Sequence, residues 1–159
     1  MIEPCMRIVN FMLLTLLIGC QTKSEQTKNM PAQSTATASG PCLVHPNPAR
    51  KIAISSPCDR AQVAARDFVE GTVADSNAQV WVVIHPLEAG DFWVQPSVTV
   101  KDNGSWRVLV YFGEPDLHVG KPYQVIAIAN PRQGLNEGQL LNSWPEAQWR
   151  SDVVDVVRK

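Results

Sequence analysis

Long apolar runs are nearly missing from these 159 residues. The one run worth weighing, Ile8 to Gly19, holds about a dozen residues where a helix crossing a bilayer needs roughly 20, so no span is expected. Charge of one sign is missing too. Lys and Arg number 14 against 15 Asp and Glu, a formal net charge of -1, which provides no basis for steering toward nucleic acid or another polyanion. Patterns that carry chemistry are also absent: there is no G-x-S-x-G elbow, H-E-x-x-H helix, phosphate-binding loop or C-x-x-C pair. Asp75-Ser76-Asn77 reads as a turn, because the ligand series of a calcium loop does not continue from it. The 3 histidines are scattered, and His45 and His85 each precede a proline, a setting that favours extended backbone. No internal repeat is present, and neither an enzyme nor a cofactor is expected.

What is present begins with the short apolar run itself. Arg7 and the amino terminus form a small positive region, Phe11 to Ile18 an apolar one, and the small Gly19 precedes a break to polar residues at Cys20, the layout of a secretory signal. Translation from Met6 would omit Glu3, which fits poorly in a positive region, and Cys5. Leu17-Ile18-Gly19-Cys20 resembles the lipobox of bacterial lipoproteins. The resemblance implies cleavage before Cys20, diacylglycerol on its sulfur and usually an N-acyl chain; two or more chains suffice for stable anchoring to a membrane. Gln21 in place of Asp implies, in lipoproteins of Gram-negative bacteria, the outer membrane. Residues 1–19 are thus expected to be a signal peptide. Removing them takes away Glu3 and Arg7 together, so the net charge is unchanged.

Residues 20–40 are rich in Gln, Thr, Ser, Ala, Lys and Asn and contain no aromatic residue, so they cannot bury enough apolar surface to offset chain entropy. They are expected to form a flexible tether reaching roughly 25 Å on average. Residues 41–159 match the size of one domain. With Cys5 in the leader and Cys20 acylated, Cys42 and Cys58 remain, and an even pair in an oxidising compartment is expected to form a disulfide. The rival is a metal site on the C-x-x-H pair of Cys42 and His45, completed by Cys58 or His85. It wants the second close ligand pair usual for structural zinc.

The domain reads as short segments rich in Val, Ile, Thr, Phe and Trp with Gly, Pro, Asn and Asp between them, an all-β pattern. Strands are expected at Lys51–Ser55, Asp67–Ala74, Gln79–His85, Phe92–Gln95, Val98–Lys101, Ser105–Phe112, Tyr123–Asn130 and Val153–Arg158. In "VKDNGSWRV", Asn103-Gly104 suits a tight hairpin with positive φ at both residues. Alternation places Trp106, Val108, Val110 and Phe112 on the core face. "LHVGKPYQV", Leu117 to Val125, has the spacing of a tyrosine corner, and Trp81 lies where sandwich domains commonly bury a tryptophan. "ISSPCDRAQV" followed by "VEGTV" completes the likeness. The chain resembles the immunoglobulin-like or fibronectin-type-III-like domains of bacterial envelope proteins, which implies an antiparallel β-sandwich of seven to eight strands.

One departure is a long insertion, residues 131–151, before the last strand, with a helical turn expected around Glu137–Leu141. Its Trp144 and Trp149, with Trp93 of "FWVQP", form either an aromatic platform for a sugar ring or a protein surface, or caps on the open ends of the sandwich. Glu114 with Asp116, and Glu88 with Asp91, have the composition of an acid–base pair but lie among turn residues, where carboxylates are ordinarily solvated. The expected role is a non-catalytic binding or scaffolding module, held to the envelope through Cys20, with a protein or glycan partner. The alternatives are a small envelope enzyme of unrecognised type and the Cys42/His45/Cys58 metal-binding protein.

Overall fold

The computed structural model describes Cys42 and residues 49–159. The leader, the lipobox, Cys20, the tether and His45 lie outside the described residues. Among the described residues, eleven strands form two sheets. The first sheet holds, in spatial order, β1 (Ile52–Ser56), β3 (Arg66–Val73), β7 (Ser105–Tyr111) and β6 (Thr99–Val100). The second runs β2 (Ala61–Val63), β11 (Val154–Arg158), β8 (Pro122–Pro131), β4 (Val80–Pro86), β5 (Phe92–Val94) and β9 (Leu140–Leu141), while β10 (Ala147–Arg150) also pairs with β8. All pairings are antiparallel except β2 with β11. Strand order β1-β3-β7-β6 facing β11-β8-β4 is the ABED and GFC arrangement of an immunoglobulin-like sandwich. All eight expected strands are present. The three short ones that local pattern did not signal, β2, β9 and β10, extend the second sheet.

Alternation builds the core between the sheets. Val69 and Val73 of β3, Val80, Val82 and Ile84 of β4, Trp106, Val108 and Val110 of β7, and Tyr123, Val125 and Ala127 of β8 belong to one buried cluster. Phe112 joins it, so the core face read from "SWRVLVYF" is the one observed. Gly71 stands opposite Trp106 in the β3–β7 register, and a Cβ at Gly71 would come within 2.3 Å of the indole and 2.1 Å of the Ala53 carbonyl oxygen. The missing side chain is what admits the tryptophan. The β6–β7 connection differs from the expected two-residue turn. Gly104 N–H bonds to the Lys101 carbonyl at 2.8 Å, and only Gly104, not Asn103, has positive φ, at 78°. This is a type I turn closed by a glycine bulge, with Asn103 Oδ1 accepting from the Ser105 N–H at 3.0 Å.

Trp81 is buried, but not between the sheets. It alternates with Val80 and Val82 and so lies on the outer face of the second sheet, in a second cluster with Val83, Val94, Ile126, Ile128 and Leu135. Phe92, Leu141, Trp144 and Ala147 pack against that cluster. The insertion therefore folds back as a third layer. Each such side chain contributes roughly 1.5–3 kcal/mol when taken fully out of water, so this face needs a cover. The expected helical turn is not formed. Gln139 N–H bonds to the Asn136 carbonyl at 3.1 Å in a reverse turn with Gly138 at φ 76°, and Leu140–Leu141 continue as β9 against Phe92 and Trp93.

The last strand, β11, follows β10 along the same side of β8 after an interruption. β10 pairs Arg150 with Ile128, whereas β11 pairs Val154 with Val125, so one extra residue lies between them: a bulge at Ser151–Val153. Buried Ser151 repairs the ladder, its Oγ accepting from the Ala127 N–H at 3.0 Å and donating to the Asp152 carbonyl at 2.7 Å. At the tyrosine-corner spacing Tyr123 is buried against Phe112, ring centroids 5.7 Å apart and edge-on, while Leu117 is 68% exposed and takes no part in the core.

Candidate ligand groove

The three tryptophans singled out from the sequence do not meet. Trp93 and Trp149 both pack against the inter-sheet cluster, on strands separated by β8 and β4. Trp144 lies on the outer face. There its ring meets Phe92 at 4.6 Å, Phe92 stacks on His85 at 4.1 Å, and the Arg150 guanidinium lies 5.2 Å from the Trp144 centroid. These contacts pin the insertion to the sheet. His85 Nδ1 donates to the Asp91 carbonyl at 3.0 Å, which fixes that ring in turn.

Trp93 instead lines a groove of about 360 Å³ along the open edge of the sandwich, with Val94, Gln95, Pro96, Tyr111, Gly138 and Leu140, and with Glu137 on the insertion turn. The chain leaves β5 for the first sheet here, and Gln95 joins the two. Its backbone N–H bonds to the Val82 carbonyl at 2.9 Å in the second sheet, while its side-chain Oε1 accepts the Tyr111 N–H at 2.9 Å in the first. The β6–β7 register extrapolates to Gln95 opposite Tyr111 (Thr99 faces Arg107), so the side chain stands in for an edge strand that ended too soon. Gln95 is buried for that reason. The insertion turn closes the other wall through Val94 N–H to the Gln139 carbonyl at 3.0 Å and Gly138 N–H to the Val94 carbonyl at 2.9 Å. Tyr111 is 42% and Leu140 58% exposed. Arg66 lies over the Tyr111 ring, 5.0 Å from its centroid, and its Nη2 donates to the hydroxyl at 3.4 Å. Glu137 takes part in no ion pair among the described residues. A second, more polar cleft of about 550 Å³ lies within the insertion between Arg132, Asn142 and Trp144, its sides tied by the Arg132–Glu146 pair at 3.3 Å.

No family model matches this chain and no curated protein matches it. Among solved structures it is similar to a chain from one described as "Structural basis of T cell specificity and activation by the bacterial superantigen toxic shock syndrome toxin-1". That likeness has 7% identity and a TM-score of 0.38, over 68% of this chain and 98% of the other.

The remaining candidates separate cleanly. Cys42 and Cys58 are joined in a disulfide, so the arrangement with His45 has no thiolate to offer a metal. No group of three or more metal-ligating side chains occurs among the described residues. Glu88 pairs with Lys121 at 2.6 Å. Glu114 and Asp116 sit in the loop that His118 organises, its Nδ1 accepting the Glu114 N–H at 3.0 Å. Sequence reasoning found Trp93 but missed Gln95, Tyr111, Glu137 and Leu140. A glutamine before a proline at a strand end was the one local signal; the insertion turn reaches the groove only through tertiary pairing.

Proposed function

We propose that this protein is a lipid-anchored binding module of the bacterial cell envelope, held at the outer membrane through Cys20 and meeting its partner at the Trp93–Tyr111 groove. The observation that carries recognition is that groove: aromatic and aliphatic walls with a carboxylate at the rim, on a scaffold of paired strands. The anchor rests on Leu17-Ile18-Gly19-Cys20 and the polar tether that follows. In this reading the acyl chains fix the protein to the bilayer, residues 21–40 supply reach, and the sandwich holds the groove walls in place without covalent chemistry.

The test has two arms. Cells expressing the full chain are fed radiolabelled palmitate and fractionated. Label should enter the wild type and be lost in Cys20→Ala, which should leave the membrane fraction. Envelope extracts are then captured with wild type and with a Tyr111→Ala, Leu140→Ser variant. Loss of at least one captured component in the variant supports groove recognition, and identical recovery from both sinks it.

A further inference from the structure

We infer that the groove is built for a neutral pyranose ring of a glycan chain; this rests on the envelope-module reading and names the ligand of that same site. The backbone around it decides first. Val94 spends both its N–H and its carbonyl on the insertion turn, Gln95 N–H is bonded to Val82, and Tyr111 N–H is bonded to the Gln95 side chain. An extended peptide adds to a sheet through a row of free N–H and C=O groups, and these groups are already taken. Side chains must therefore recognise the ligand.

Their chemistry is mixed. Trp93, Tyr111 and Leu140 offer apolar surface, while Glu137 offers two acceptor oxygens and the Tyr111 hydroxyl a third polar group. A pyranose has the same division: C–H groups on its faces and hydroxyl donors around its rim, adjacent hydroxyls being spaced to share one carboxylate. A purely apolar segment would bury Glu137 without a donor, which is costly. Charge narrows the choice further. Glu137 has no cation paired to it among the described residues, no positively charged side chain lines the groove, and Arg66, outside the lining, is held over the Tyr111 ring, so phosphate or uronate groups meet repulsion without compensation. The volume, about 360 Å³, falls at the small end of the range for ligand clefts, roughly 300–1,000 Å³. That is room for one or two rings, the rest of a chain continuing into solvent along the edge.

The probes are hexamers of β-1,4-linked glucose, β-1,4-linked N-acetylglucosamine and α-1,4-linked glucose, with a leucine-rich decapeptide and inorganic phosphate as the competing chemistries. Full chain purified in detergent is titrated by calorimetry and tryptophan fluorescence. At least one hexamer should bind saturably, weakened roughly 3- to 10-fold by Tyr111→Ala and about 10-fold by Glu137→Gln. Arg132→Ala, in the other cleft, should leave it unchanged. Both test residues are exposed, so an unaltered thermal midpoint shows that the variants fold. Silence from all three hexamers, indifference of binding to both substitutions, or tighter binding of the decapeptide or phosphate than of any hexamer overturns the inference. Such a result with Cys20 still labelled leaves the anchored module standing; a soluble, unlabelled protein that binds a hexamer through Tyr111 and Glu137 does the reverse.

Discussion

Tyr123 shows how one side chain ties sequence pattern to a measurable property. It is 2% exposed at the start of β8, and a Cβ at Gly113 would lie only 2.6 Å from its hydroxyl. Burial disfavours the phenolate and raises the pKa above the ordinary 10.0; Arg158 pulls it down in part and Glu88 pushes it up. The unfolded chain therefore releases this proton first, so ionisation of Tyr123 leaves stability unchanged well below pH 10.0 and lowers it as pH rises beyond that value. Chemical denaturation of wild type and Tyr123→Phe at pH 8 and again above pH 10 checks the sign. The difference in unfolding free energy should shift in favour of the variant at the higher pH, and a constant difference would refute the assignment. At this scale the sequence was readable only by type. Tyr123 stands where the L-x-x-G-x-x-Y spacing placed it and Trp106 lies on the core face that alternation gave it, yet Leu117 of the same motif points to solvent and Trp81 lies on the outer face of its sheet. Residue type says that a tryptophan is wanted inside; which inside depends on a layer that local spacing does not encode.

At the scale of elements, every strand whose period-two pattern stood out is present within one or two residues. Those missed share a cause. β2, β9 and β10 are short, and each exists because a distant strand supplies its partners: β11, β5 and β8 respectively. The bulge that splits the last strand was equally invisible, since the one-residue change of register appears only against β8. Ser151 is its cost and its remedy. The Ala127 N–H lies on a strand with neighbours on both sides and finds Ser151 Oγ where a regular ladder would have offered a carbonyl. Ser151→Ala should strand that donor and destabilise the protein by about 1–3 kcal/mol. Ser143→Ala, at an exposed position of the insertion, should stay within about 0.5 kcal/mol. Urea midpoints for the two variants decide it; equal midpoints would mean the bulge closes without the hydroxyl.

The whole molecule is a sandwich with a third layer and a staple, and the two were unequally legible. The third layer had a signal that the strand reading did not use: "VWVVI" and "VIAIA" are apolar on consecutive residues where a half-exposed strand would alternate. Continuous runs mean both faces of β4 and β8 are covered, and the insertion is what covers the outer one. The groove is a by-product of that cover, formed where the insertion turn meets the end of β5, so its far wall could not be read from any local stretch. The staple follows from counting cysteines. Cys42 and Cys58 close a loop of sequence separation 16, attaching the chain just ahead of the sandwich to the segment between β1 and β2. Its main effect is on the unfolded chain, where closing a loop of this length removes entropy equivalent to about 3 kcal/mol. A Cys42→Ser, Cys58→Ser double variant should therefore keep the sandwich, with unchanged far-ultraviolet circular dichroism, but unfold roughly 10 °C lower. Wild type in reductant should fall to the same midpoint, and the variant should not respond to reductant at all. A midpoint unmoved by both treatments would show that the β1–β3 and β2–β11 pairings hold this end of the domain without the bond.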